Sequence, residues 1–320
     1  MAWHTREREL KGEIMRTDIF IKVLSETRDP DLMDADLESA FALLRNFEAR
    51  FSRFRDESEL SMLNSSIGPC RVSDDLWDIL ERCQEYFDET DGVFDPTVLP
   101  ALEREGYAAS YGTEDFGRSE ISLSEPKRYS FADVVLDAET RTVTRPVGCR
   151  IDLGGIGKGY VVDRAAELLG GMYDDFIVDA GGDMRVAGRD RLAGYPYFAI
   201  DIEDAVRKSG SAGTLLLSDQ AVATSGVNRR KWLLDGVEKS HLIDTQSGRS
   251  VEGGIMTATV VADTAERADV MAKTLCLLGR DHWRSFAEER QIPVFVILKD
   301  GTIETNQFIQ PYLWGGDIFS

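Results

Sequence analysis

Residues 151–163 read Ile-Asp-Leu-Gly-Gly-Ile-Gly-Lys-Gly-Tyr-Val-Val-Asp, placing glycines at 154, 155, 157 and 159 around Lys158. Glycine lets a backbone come close to a ligand, and a helix that follows such a loop offers unpaired N–H groups. A lysine inside the loop adds a point charge suited to a phosphate. The spacing is neither Gly-x-x-x-x-Gly-Lys-Ser/Thr nor Gly-x-Gly-x-x-Gly, so it is not a Walker loop or a dinucleotide fingerprint. Two readings stand: a phosphate cradle, or a tight strand-to-helix turn. Gly181-Gly182, with Asp183 after them, and Ala223-Thr224-Ser225-Gly226 each read alone as ordinary strand-end turns. Histidines occur at 4, 241 and 282, and imidazole titrates in the range that proton transfer needs. Cysteines 70, 83, 149 and 276 lie far apart with no Cys-x-x-Cys pair, which indicates neither a zinc knuckle nor a disulfide framework.

The elements that must position these groups follow from apolar periodicity. Residues 12–24 suggest an opening strand, and Leu32, Leu37, Phe41, Leu44 and Phe47 mark a helix. A second helix starts after Ser73, a natural N-cap with Asp74 and Asp75 behind it, and stops at Asp91-Gly92. Residues 103–130 are polar and glycine-bearing and read as loop. Strands 134–136 and 142–147 form a hairpin, and the glycine loop runs into a helix that ends at Gly170-Gly171. Further strands are expected at 176–179, 197–202, 213–217, 231–234 and 257–262. A helix over about 264–278 is introduced by Asp263 and Glu266 at the spacing of a capping box. A short helix 281–290 follows, and 294–298 with 302–304 close the chain as a hairpin. Hairpins mixed with helices predict an α+β fold of mainly antiparallel sheets with packed helices. The expected division is an N-terminal tail, 1–12, and a single domain, 13–320.

Composition limits the partners. The chain has 320 residues, 42% of them hydrophobic, and a formal net charge of −20. That length and apolar content can bury a sizeable core. An acidic surface of this strength repels nucleic-acid backbones and anionic lipid, so neither is expected as a partner. It leaves room for one anionic small ligand wherever local groups supply positive charge. No apolar run reaches the roughly 18–20 residues of a membrane span, and the charged N-terminus lacks the apolar core of a signal peptide. A cytoplasmic protein is expected.

Taken together and in order, the motifs resemble the ApbE family, which comprises FAD:protein FMN transferases, called thiamine-biosynthesis lipoproteins in older usage. Asp152 through Tyr160, Ala180-Gly181-Gly182-Asp183, Ala221 through Gly226, and His241-Leu242-Ile243-Asp244 with Gly248 carry the likeness. Upstream, Arg50 through Phe54 with Ser58-Glu59-Leu60 and Asn64, and Thr90 through Thr97, resemble two further family elements. Downstream, Thr264-Ala265, Ala268-Asp269 and Leu278-Gly279 resemble a third. The likeness covers roughly residues 14–300.

The resemblance implies binding of FAD with Mg²⁺ and transfer of FMN to a threonine or serine hydroxyl of a target flavoprotein, with AMP released. It implies flavin-nucleotide contacts at Met15, Phe54, Gly92, Phe94, Asp95, Gly154, Gly155, Lys158, Asp163, Gly181, Gly182, Ser225, Gly226 and His241. Phe54 replaces a family tyrosine and keeps its π-face for stacking. His241 and Asp269 are the implied catalytic pair, with Asp269 also a metal ligand beside Gly157 and Thr274. The chain departs from the family where Lys273 stands in place of a threonine, four residues after Asp269. Three readings remain: the metal stays with Asp269 and a carbonyl near Gly157, Thr274 substitutes, or the Lys273 ammonium replaces part of the metal's charge. An Asp–Lys pair at this spacing is also an ordinary helix ion pair. Arg16 stands where the family has glycine, Thr245 where it has proline, and Val227-Asn228-Arg229 lack the family's acidic and aromatic members. Two alternatives to transferase remain: an FAD pyrophosphatase giving FMN and AMP, and a flavin-binding protein without activity.

Overall fold

Along Thr17–Ser25 the residues Ile19, Ile21 and Val23 are buried on one side while Leu24 is buried on the other, the pattern of a strand covered on both faces. A computed structural model, which describes residues 5–113, 116–117, 127–207 and 210–315, shows what covers them. Strand β1 (Arg6–Ile14) pairs with β2 (Thr17–Ser25) through a two-residue turn, with Ile14 opposite Thr17. Both turn residues, Met15 and Arg16, have φ of 55°. The tail expected over 1–12 therefore contributes 6–12 to a sheet strand, and residues 1–4 lie outside the described residues. The charged alternation Arg6-Glu7-Arg8-Glu9 carries no apolar period, which is why it does not read as a strand.

Eight antiparallel strands form the main sheet in the order β1, β2, Asp175–Ala180, Asp183–Ala187, Ala221–Gly226, Ile255–Ala262, Val294–Leu298, Ile303–Thr305. Helices α1 (Pro30–Phe51), α5 (Gly157–Gly170) and α6 (Ala265–Glu289) cover one face. Between α1 and α5 lie α2 (Glu59–Ser65), α3 (Asp74–Glu89) and α4 (Leu99–Arg104). The hairpin Phe198–Glu203 with Ser211–Leu217 covers the other face through Phe198, Ile202, Leu215 and Leu217. The fold is α+β and antiparallel, as the alternation of hairpins and helices implies. No helix among the described residues is long and apolar enough to cross a membrane.

Two helix starts show how local chemistry sets the frame. Ser73 caps α3 by accepting from the Leu76 N–H, as expected. At α6 the cap is Thr264, not Asp263, and Glu266 turns inward to pair with Arg82 at 3.2 Å instead of closing a capping box. Asp163, projecting from α5, takes over: its two oxygens accept from the N–H groups of Ala265 and Glu266, both at 2.8 Å. The helices meet at Gly159, where a Cβ would lie 2.5 Å from the Ala265 carbonyl oxygen. Gly279 (φ 70°) breaks α6, and the next N–H, of Arg280, donates to the Gly253 carbonyl at 2.8 Å. The two helices expected over 264–278 and 281–290 are thus the two halves of α6. The expected 103–130 loop holds the end of α4 and otherwise no helix or strand among its described residues; 114–115 and 118–126 lie outside them.

Candidate functional site

The glycine loop opens onto a cleft of three joined compartments, all of which touch Gly154 and Arg230. The first, about 470 Å³, lies between the Met15-Arg16 turn, the end of α1 and the residue 107–111 segment, and carries Phe47, Phe51, Phe54 and Tyr107. The second, about 120 Å³, is apolar, with Phe94, Leu102, Leu242 and Leu277 along it. The third, about 310 Å³, runs over the sheet ends at Gly181-Gly182 and Thr224-Ser225-Gly226. Aromatic walls at one end and glycine turns with cations at the other suit a ligand with a flat ring system and phosphates.

Arg53 organises the aromatic end. Its guanidinium pairs with Asp152 at 2.9 Å and lies over the rings of Phe54 (4.1 Å) and Tyr107 (4.8 Å). Asp152 itself begins the glycine loop, so the pair ties the end of α1 to the loop. Phe54, 42% exposed, presents a ring face between the first two compartments. Phe94 is buried against Gly155, where a Cβ would sit 2.9 Å from the ring.

The charged end is layered. Lys158 and Lys273 line the cleft. Behind them stand Asp183 and Asp269, with side chains 1% exposed, paired to Lys158 and Lys273 respectively. One oxygen of each carboxylate, Asp183 Oδ1 and Asp269 Oδ2, is sealed from solvent without a hydrogen-bond partner. Burial pulls the Lys158 ammonium down, but Asp183 and Asp269 outweigh it and hold its pKa above the usual value. Burial, followed by the Asp269 charge, raises the Asp183 carboxyl despite both lysines.

His241 stands where the second and third compartments meet, together with Lys273. Burial, then the Arg230 and Lys273 charges, push its pKa down to about 3, so the ring is neutral near pH 7. Its Nδ1 is buried without a hydrogen-bond partner. A neutral imidazole therefore sits beside two cations.

The structure sorts the residues expected from the sequence. Met15, Phe54, Phe94, Asp95, Gly154, Gly155, Lys158, Gly181, Gly182, Ser225, Gly226 and His241 line the joined compartments. Asp95 does so with its carboxylate engaged, accepting from Thr97 N–H (2.8 Å), Thr97 hydroxyl (2.6 Å) and Phe131 N–H (3.2 Å). Gly92 does not line them: at φ 78° it ends α3, its N–H donating to the Phe87 carbonyl. Asp163 is occupied at the start of α6. The expected metal residues do not converge. Gly157 begins α5 on the first compartment, Asp269 lies behind Lys273, and the buried Thr274 hydroxyl donates to the Val270 carbonyl at 2.9 Å. Among the described residues no three His, Cys, Asp or Glu side chains gather as a metal site. Missed from the sequence were Arg53, Tyr107, Asp183 and Arg230 as site residues. Asp183 follows a glycine pair already singled out, and its acid beside a lysine loop was the available signal.

Comparison with known proteins agrees with this geometry. The ApbE family model matches residues 15–296. A curated relative from Vibrio cholerae, named FAD:protein FMN transferase, is 27% identical over 95% of this chain and 92% of its own length. One of the same name from Haemophilus influenzae is 26% identical over 92% and 87%. The solved ApbE protein of Thermotoga maritima superposes with a TM-score of 0.84 at 25% identity, covering 96% of this chain and 99% of that one. The flavin transferase ApbE of Vibrio cholerae gives 0.81 at 25% identity, covering 97% and 100%. With the family model matched over most of its length, the chain belongs to the ApbE family.

Proposed function

We propose that this protein is an FAD:protein FMN transferase, with FAD as donor and a threonine or serine hydroxyl of a flavoprotein as acceptor. The observation that carries the reading is the junction of the cleft, where His241, Lys273, Arg230 and Gly154 meet between an aromatic end and a glycine-lined end. A dinucleotide spanning that junction brings its pyrophosphate to the cations. The acceptor oxygen bonds to the FMN phosphorus, the bond to AMP breaks, and AMP leaves. His241, neutral near pH 7 and placed at the junction, takes the hydroxyl proton. The anionic pyrophosphate offsets the Arg230 and Lys273 charges that depress His241, raising its basicity when donor is bound. Lys158, Lys273 and Arg230 counter charge on the phosphoryl oxygens.

The expected Mg²⁺ does not fit the residues here. The two carboxylates that could ligate it are sealed behind ammonium groups, and Thr274 faces its own helix backbone. The transfer as written uses side-chain cations throughout.

Purified protein incubated with FAD and an acceptor peptide, analysed by mass spectrometry, tests the reading. A peptide carrying covalent FMN together with one equivalent of AMP is expected. FMN and AMP without modified peptide would make the protein a pyrophosphatase, and unchanged FAD would make it a binding protein. His241→Asn should lower AMP release by about 10²-fold or more with FAD affinity kept.

A further inference from the structure

Lys273 reaches the cleft from α6 with its side chain only 9% exposed and its ammonium fixed on Asp269 one helical turn earlier. We propose that this ammonium is a resident cation for the ligand's phosphates, so that FAD binds without a divalent metal ion. The inference rests on the flavin reading above and specifies how that site neutralises its donor.

The layering carries it. A ligand entering the second or third compartment meets Lys273, and one entering the first or third meets Lys158. Neither Asp183 nor Asp269 is among the residues that line these compartments. Their two unpartnered oxygens, the natural donors for a metal, are sealed from solvent. A divalent ion approaching through the cleft would face two ammoniums first, in surroundings where poor screening strengthens like-charge repulsion. A phosphate approaching the same way meets attraction from groups already in place, with no reorganisation required. The carboxylates behind pair with the two lysines and fix their positions at the cleft wall. The anion that completes the cluster is therefore the ligand.

The test is FAD titration, followed by flavin fluorescence, on apoprotein in EDTA and in Mg²⁺, with Lys273→Thr and Lys273→Met alongside. Wild type should bind FAD with affinities within about threefold in the two buffers. Both variants should bind about tenfold or more weakly in EDTA, the loss expected for one desolvated cation on phosphate. Lys273→Thr, which uncovers Asp269, should regain affinity in Mg²⁺ and acquire Mn²⁺ binding detectable by electron paramagnetic resonance. Wild-type binding that weakens tenfold or more in EDTA would overturn the inference, as would a Lys273→Met protein that binds like wild type there. Should the variants not fold by circular dichroism, the wild-type comparison decides alone. FAD binding in EDTA without transfer to any acceptor would leave this inference standing and remove only the transferase reading. Absence of FAD binding in both buffers removes both.

Discussion

Helix α6 buries two carboxylates three residues apart, and their surroundings differ in kind. Near Glu266 the charges close on one another: Asp163 caps the helix with both oxygens used, and Glu266 meets Arg82. At Asp269 the arrangement stays open, because its ammonium partner faces the cleft and one oxygen has no hydrogen bond. Burial raises the pKa of Asp163 and takes Glu266 to about 7. The difference separates two uses of buried charge. A network closed on itself holds elements together, while a buried pair whose cation faces a cleft also presents that charge to a ligand.

That contrast can be broken by substitution. The largest effect is expected at Lys158: Lys158→Ala should reduce AMP release from FAD by about 10²–10³-fold, the scale of losing one preorganised donor to a developing anion. A smaller loss would show that the open cluster is not where charge is stabilised. Next comes Glu266. Its carboxyl is raised in the folded protein, so the native state holds the proton more strongly than the unfolded chain. Stability from this group is full below about pH 4.5 and falls as pH rises towards 7, by about 3 kcal/mol at most. Denaturant melts of wild type and Glu266→Gln across pH 5–8 should differ in slope, and parallel curves would refute the assignment.

Asp163→Ala should cost about 1–2 kcal/mol of stability through two uncapped N–H groups, with FAD affinity retained. Loss of FAD binding in a protein that melts normally would move Asp163 from the closed network to the open one. The smallest effect belongs to Phe54→Tyr, which keeps the ring face; FAD affinity should change by less than about threefold.

Much of this was legible in the sequence where the signal was local. The glycine loop and its lysine, the capped start of α3 and the interruption of α6 at Gly279 each declare themselves within a few residues. What stayed hidden was set by partners far along the chain. Lys158 and Asp183 are 25 residues apart, and nothing in either segment names the other. Ala223–Gly226 reads as a turn because its residues are small, yet it belongs to Ala221–Gly226, an interior strand lying under α6. Small side chains there let the helix approach and leave the third compartment open. Strand β1 hid for the opposite reason. It is a sheet edge, and charged side chains on an edge discourage unwanted pairing while erasing the apolar period. The motif resemblance also assigned Gly92 and Asp163 to the ligand, whereas their backbone and cap geometry give them to the scaffold.

The turn between β1 and β2 has a consequence for how this protein could change. Two consecutive left-handed residues in a two-residue hairpin are the conformation that Asn-Gly adopts at little cost. Here Met15 and Arg16 occupy it, each at roughly 1 kcal/mol against the backbone. The Met15 N–H is anchored on the Glu48 carboxylate at 3.0 Å, and both side chains border the first compartment. Folding ease and ligand contact are therefore set in opposition at a single corner of the chain. A drift towards Asn-Gly would yield a hardier protein with a barer cleft, so the corner is one place where robustness and chemistry cannot be improved together.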